Sequence, residues 1–218
     1  MKAVKKIVKK DWYILLIILA GLVFGLLFYR YLPAQIALHW DGAGNPNGYG
    51  TKAEGVFFIP AVNFAIYLLM ILLPYIDPQK ANYAKFQGSY QKLKCFTAVL
   101  MTAIQIGSLI FAMGIKFNMS ILCGIGVSVL FILIGNMMGR FRFNYFVGIR
   151  TPWTLANEEI WRKTHRMAGP LWIVGGIANL IIAFLPGMLE ITGSIAIIIF
   201  ISAVPIVYSY FEYRKLTK

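Results

Sequence analysis

Two stretches of this sequence concentrate side chains able to do chemistry. The first is His39-Trp40-Asp41 with Glu54 downstream. An imidazole and two carboxylates are donor types of a cation site, but one histidine and two acids at no motif spacing make a thin ligand set. No metal is expected there. The second stretch runs from Glu158-Glu159 through Lys163 to His165. Paired acids can activate a water where they are enclosed. These lie instead in a charged, amphipathic run, and both histidines fall outside the apolar segments. Gly42-x-Gly44 and Gly124-x-Gly126 lack the strand–turn–helix context of a nucleotide loop. The expectation is a protein with no catalytic residue, no metal and no cofactor.

A lipid solvent must position these stretches. The chain has 218 residues, 59% apolar and 13% charged, with a mean hydropathy of +0.71. A soluble domain carries about 25% charge. The apolar runs do not alternate with polar residues, so they read as helices rather than barrel strands. Six are near span length: 12–29, 56–73, 95–115, 120–139, 168–185 and 193–211. The second and fifth are short and carry Pro or Asn nearby.

The basic residues orient them. With the amino terminus inside, every cytoplasmic segment is rich in Lys and Arg, from Lys2, Lys5, Lys6, Lys9 and Lys10 at the start to Arg214, Lys215 and Lys218 at the end. The outer segments hold only Arg30, Lys52 and Lys116. The expected fold class is an all-α membrane protein. It is a six-helix transmembrane bundle with both termini cytoplasmic, one compact outer loop and one cytoplasmic amphipathic interfacial helix. The division is 1–94, with two spans and the outer loop 32–55, and 95–218, with four spans and the cytoplasmic loop 140–167.

The net charge of +13 is accounted for by basic loops near anionic headgroups, and no direct nucleic-acid contact is expected. The first span is expected to stay uncleaved, since the sequence after it is a poor cleavage site. Cys95 and Cys123, at opposite ends of their spans, are expected to be free thiols.

Inside the bilayer, helices associate by close packing. Gly21/Gly25 and Gly135/Gly139 form two Gly-x-x-x-Gly pairs, and Asn63, Gln105, Asn136 and Asn179 place one amide in each of spans two to five. Hydrogen bonding between helices is the expected role of these amides; a polar substrate pathway is the alternative. The six runs contain no Asp, Glu, Lys or Arg, which argues against a pump.

The outer loop contains Asp41-Gly42, Asn45-Pro46 and Asn47-Gly48, all turn dipeptides. His39, Trp40, Asp41, Gly48, Tyr49 and Lys52 are its candidate recognition residues. The other reading is a cap over the bundle with Trp40 and Tyr49 at the interface. In the cytoplasmic loop, Thr151-Pro152 reads as an N-cap followed by proline at the first helical position. Asn157 with Glu158 and Glu159 is a second possible start. At helical spacing Trp153, Asn157, Ile160, Thr164 and Met167 share one face, and Glu158, Arg162, His165 and Arg166 the opposite one. Glu158–Arg162 and Glu159–Lys163 are possible i,i+4 pairs. This stretch is expected to lie in the headgroup region, as a connector or as a docking face.

The run Gly148-Ile149-Arg150-Thr151-Pro152-Trp153-Thr154-Leu155, with Asn157-Glu158-Glu159 and Trp161-Arg162-Lys163-Thr164-His165, resembles the signature of the SdpI family of bacterial immunity proteins. Pro33 through His39-Trp40 to Gly48-Tyr49-Gly50 and Lys52 resembles the uncharacterised amino-terminal domain often found with it. The resemblance implies a plasma-membrane protein that shields its producer from a secreted, membrane-active toxic peptide. It also implies that a soluble transcriptional repressor is held at the membrane. The partner face would then be Asn144, Gly148, Arg150, Thr151, Pro152, Trp153, Asn157, Glu158, Trp161, Arg162 and His165. Two alternatives stand beside it. One is a small transporter or channel, resting on the amides and prolines within the spans. The other is an intramembrane protease, since Glu158-Glu159 with Lys163 resembles the Glu-Glu-x-x-x-Arg motif of prenyl-protein proteases, with Lys at the last position.

Overall fold

The computed structural model describes residues 2–42 and 44–216, with side chains from Lys10 onward. Ala43 and the side chains of Lys2, Lys5, Lys6, Lys9 and Lys218 lie outside the described residues. In chain order the elements are α1 (Lys2–Leu27), a 3₁₀ turn (Tyr29–Tyr31), β1 (Gln35–Trp40), β2 (Pro46–Thr51), α2 (Lys52–Ile76), a 3₁₀ segment (Lys80–Phe86), α3 (Gln87–Ala112), α4 (Met119–Met138), α5 (Pro152–Ala156), α6 (Glu158–Ile182) and α7 (Met188–Leu216). Five segments are long and apolar enough to cross a membrane: Lys10–Leu27, Lys52–Ile76, Lys80–Ala112, Met119–Met138 and Met188–Leu216.

One expectation about elements is refined and one is corrected. The mostly helical chain carries a small antiparallel hairpin within the expected outer loop, β1 with β2, pairing Gln35 with Thr51 and Ala37 with Tyr49. The interfacial helix and the fifth span are also not separate. After the five-residue α5, Asn157 is extended (φ −151°, ψ 126°) and caps a continuous α6. That break changes the helical phase, so Trp153 and Asn157 do not continue the face of Ile160 and Thr164. α6 begins in charged sequence and carries Pro170, which is why its apolar part, from Ala168, is short.

The chain divides into two compact units that interleave along the sequence, 1–70 with 94–122, and 71–93 with 123–218. In the first, Gly21 faces Gln105 and Thr102, and Gly25 faces Val56 and Leu109. This is the close approach expected of that glycine pair. Asn63 donates to the Ala98 carbonyl and the Thr102 hydroxyl, and Gln105 to the Val56 carbonyl at 3.1 Å. Asp11 and Lys94 form a buried ion pair, and the Tyr67 hydroxyl donates to the same carboxylate at 3.4 Å.

In the second unit, a Cβ on Gly135 would meet the Gly169 carbonyl at 2.7 Å and Ile173 N at 2.8 Å, whereas Gly139 has nothing within 4 Å. Only the first of that pair is a packing glycine. Asn179 donates to Ser128 Oγ at 2.9 Å. Asn136, in contrast, is exposed, so the expected pattern holds for three of the four amides. Cys95 and Cys123 are free thiols. Gly135→Leu is expected to destabilise the detergent-purified protein by about 1–3 kcal/mol through overpacking, and Gly139→Leu to leave it within about 0.5 kcal/mol. Thermal unfolding of both variants checks this, and equal losses would contradict the α4–α6 contact.

Candidate functional sites

The hairpin is fixed in place by side-chain contacts within its unit. Ile36 is fully buried with Leu32, Val56 and Leu109. Ser108 Oγ donates to the Ala37 carbonyl at 2.8 Å, and Ser120 Oγ to the Asp41 and Gly42 carbonyls at 3.3 Å. Trp40 packs edge-on against Phe111. Its turn is closed by Asp41, which accepts from the Asn45 amide at 2.8 Å, and by Gly44 at φ +81°. Residue 44 packs against Asn118.

The six recognition candidates divide by exposure. His39 and Tyr49 are exposed, while Trp40, Asp41, Gly48 and Lys52 are half-buried. A Cβ on Gly48 would meet that of His39 at 2.9 Å, so Gly48 keeps the strands together rather than presenting a side chain. The three candidate metal donors are each engaged locally. His39 Nδ1 pairs with Asn47 Oδ1, Asp41 holds the turn, and Glu54 accepts from the Thr51 amide and hydroxyl. Among the described residues no group of three donors is placed to hold a metal ion.

The second site lies between α4 and α6, within one unit. Asn144 is fully buried and organises the loop. Its Nδ2 donates to the Arg142 and Val147 carbonyls, and its Oδ1 accepts from the Phe146 and Val147 amides. Asp77 accepts from the Tyr145 amide at 2.9 Å, the Gln79 amide at 2.7 Å and the Tyr83 hydroxyl at 3.0 Å. Gly148 at φ +122° brings the backbone onto the rings of Trp161 and His165. Trp161 and His165 stack with centroids 4.1 Å apart, and Trp161 Nε1 donates to the Phe141 carbonyl at 3.0 Å. Thr151 caps α5 in a reciprocal box with Thr154 and bonds Ser209 Oγ at 3.0 Å.

His165 is the correction with the largest consequence. The helical wheel places it on the polar face, yet it is 1% exposed. Its Nδ1–H donates to the Trp161 carbonyl at 2.8 Å, and Nε2 accepts from the Ile149 amide at 2.9 Å. Both nitrogens are used by one neutral tautomer, and burial pushes the imidazole down to about 4. The folded value lies below the unfolded one of 6.5. The stability His165 contributes is therefore complete above pH 6.5 and is lost as pH falls toward 4, to a limit of about 3 kcal/mol. The thermal midpoint of the wild type should fall more between pH 7 and pH 4.5 than that of His165→Gln; an equal fall would remove His165 as the cause.

The eleven partner-face candidates therefore separate. Asn144, Thr151, Trp161 and His165 are buried, and Trp153 is half-buried against Tyr210. Their side chains build the loop and cannot present a surface. Gly148, Arg150, Pro152, Asn157, Glu158 and Arg162 are exposed. Arg150 is held by the Tyr145 carbonyl at 2.8 Å, and Asn157 accepts from the Glu159 and Ile160 amides as the α6 cap. Lys163 pairs with Glu159 at 3.0 Å and with Glu212 at 3.2 Å. The Glu158-Glu159 acids are exposed at a helix start, not enclosed around a water. Between α4 and α6 a groove of about 620 Å³ is lined by Phe141, Arg142, Phe143, Glu158, Arg162 and Arg166, among others. Sequence reasoning missed Asp77, Ser209 and Glu212; Asp77, an acid beside Pro78 in an otherwise basic segment, is the one with a visible signal.

Residues 140–209 match the SdpI/YfhL protein family, and residues 16–64 match a domain of unknown function, DUF1648. The chain is 28% identical over 208 residues to the immunity protein SdpI of Bacillus subtilis (strain 168), covering 95% of this chain and 98% of that protein. No solved structure matches the chain.

Proposed function

We propose that this multi-pass membrane protein, which resembles the SdpI/YfhL family over residues 140–209 and an immunity protein over nearly its whole length, protects its cell against a secreted, membrane-active toxic peptide, without catalysis. The single observation that carries the reading is the alignment of nearly the whole chain with an immunity protein. Two structural features support it. The hairpin is anchored at many points and offers His39 and Tyr49 outward. The acids that could suggest hydrolysis are exposed. In this reading the apolar part of α6, from Ala168, completes the six spans, both termini are cytoplasmic and the hairpin faces out to meet the peptide. The α4–α6 loop faces in, where Arg150, Pro152, Asn157, Glu158 and Arg162 are the residues left to hold a soluble transcriptional repressor.

The test is membrane potential, read by a potential-sensitive dye, in sensitive cells exposed to a panel of secreted membrane-active peptides. Expressing cells should keep their potential against at least one peptide that depolarises control cells. Equal depolarisation by every peptide overturns the reading. For the inner face, a pull-down with Arg162→Ala and Glu158→Ala should lose a soluble partner that the wild type retains. Retention by both variants would place the partner elsewhere.

A further inference from the structure

The groove between α4 and α6 carries an arrangement that protection against a peptide does not use. Arg142, Arg162 and Arg166 line it together with Glu158 and Glu159. Glu159 is committed to Lys163 at 3.0 Å. Arg142 gives one nitrogen to the Gly139 and Arg140 carbonyls at 3.3 Å, long contacts that leave most of its guanidinium donors available. Arg162 and Arg166 are exposed, and among the described residues no ion pair within 4 Å engages either. Three guanidinium groups therefore face a concavity with Glu158 as the one acid not taken up by a lysine. His165, on the floor, is neutral because both ring nitrogens are bonded. A guanidinium fork matches an oxyanion bearing several acceptor oxygens.

The height of the groove selects the anion. Gly139, one of its lining residues, comes directly after the apolar helix Met119–Met138 ends. Arg166 stands two residues before the apolar part of α6 begins at Ala168. Both helices thus deliver their arginines to the level where the hydrocarbon gives way to headgroups. Trp161, of a residue type enriched at that depth, lines the same space with Phe141 and Phe143. We propose that the α4–α6 groove is a binding site for a phosphate-bearing anion, filled in the membrane by the phosphodiester of an anionic phospholipid. The inference rests on α6 entering the bilayer at Ala168, as in the proposed topology, but needs neither the immunity reading nor the inside–outside orientation, so site and immunity can fail separately.

The test is native mass spectrometry of the full chain in detergent, titrated with phosphatidylglycerol, phosphatidylcholine or inorganic phosphate. The wild type should retain phosphatidylglycerol at least tenfold better than phosphatidylcholine. Arg142→Gln/Arg162→Gln/Arg166→Gln should bring it down to the phosphatidylcholine level, Glu158→Gln should raise retention, and Lys116→Gln, far along the chain at the other end of α4, should leave it unchanged. A thermal midpoint of the triple variant close to wild type shows that the fold is kept; if the triple variant unfolds, each single Arg→Gln variant should still lower retention severalfold. Equal retention of the two lipids, or no loss in any arginine variant, overturns the site. Displacement of the lipid by equimolar inorganic phosphate, or by an acidic peptide such as tetraglutamate, overturns the lipid as its occupant.

Discussion

Gly148→Ala is expected to destabilise the protein by about 3 kcal/mol or more. Two costs combine. A non-glycine residue at φ +122° is strained by about 1–3 kcal/mol. The new Cβ would also run into His165 Nε2 and sit 3.1 Å from the Trp161 ring. His165 cannot retreat, because its ring is stacked on Trp161 and bonded through both nitrogens. Displacing it would leave the Ile149 amide and the Trp161 carbonyl without their partners, and unmade buried hydrogen bonds add about 1–3 kcal/mol. Gly114 separates the two costs: it has φ +100° and open space around its Cβ position. Gly114→Ala should therefore lose about 1–2 kcal/mol by strain alone. Thermal or denaturant unfolding in detergent of both variants measures the difference, and losses of equal size would show that the His165–Trp161 contact is not what excludes a side chain at 148.

The second large effect lies at the ion pair of α1 and α3. Asp11 and Lys94 are 1% and 8% exposed, so removing one partner strands a charge away from water. Lys94→Met should cost about 3–5 kcal/mol, and Asp11→Leu a similar amount. The double replacement removes both charges and leaves apolar groups of similar bulk in their place. It should be more stable than either single variant, with the Tyr67 hydroxyl among the groups left to find a new partner. A double variant as unstable as the two single losses added together would mean that the charges do not act on each other.

These two sites show where reading the sequence succeeds and where it stops. Five of the six expected spans were legible because their apolar runs are long. The caps at Thr151-Pro152 and Asn157 were legible because each is a local arrangement of a few residues, and both are present in the structure. The hairpin was hidden because β2 is Pro46-Asn47-Gly48-Tyr49-Gly50-Thr51; small and turn-forming residues occupy positions where a strand usually shows β-branched alternation. His165 was misplaced because a helical wheel started at Trp153 cannot register a break at Asn157. The Asp11–Lys94 pair joins residues far apart in the chain. Each one alone reads as an ordinary charge at the edge of a span, and nothing local announces its burial. Gly148 was singled out as part of a motif, but its left-handed backbone depends on where Trp161 and His165 come to rest.

Sidedness underlies the assignment of the hairpin to toxin contact and of the α4–α6 loop to the cell interior. In a Cys95→Ala/Cys123→Ala background, Tyr49→Cys and Arg162→Cys can be treated in intact cells with a membrane-impermeant maleimide. Both introduced positions are exposed: Tyr49 and Arg162 both face away from their units. Position 49 should label at once, and position 162 only after the membrane is permeabilised. Labelling of 162 in intact cells, or protection of 49, would contradict the placement of both surfaces.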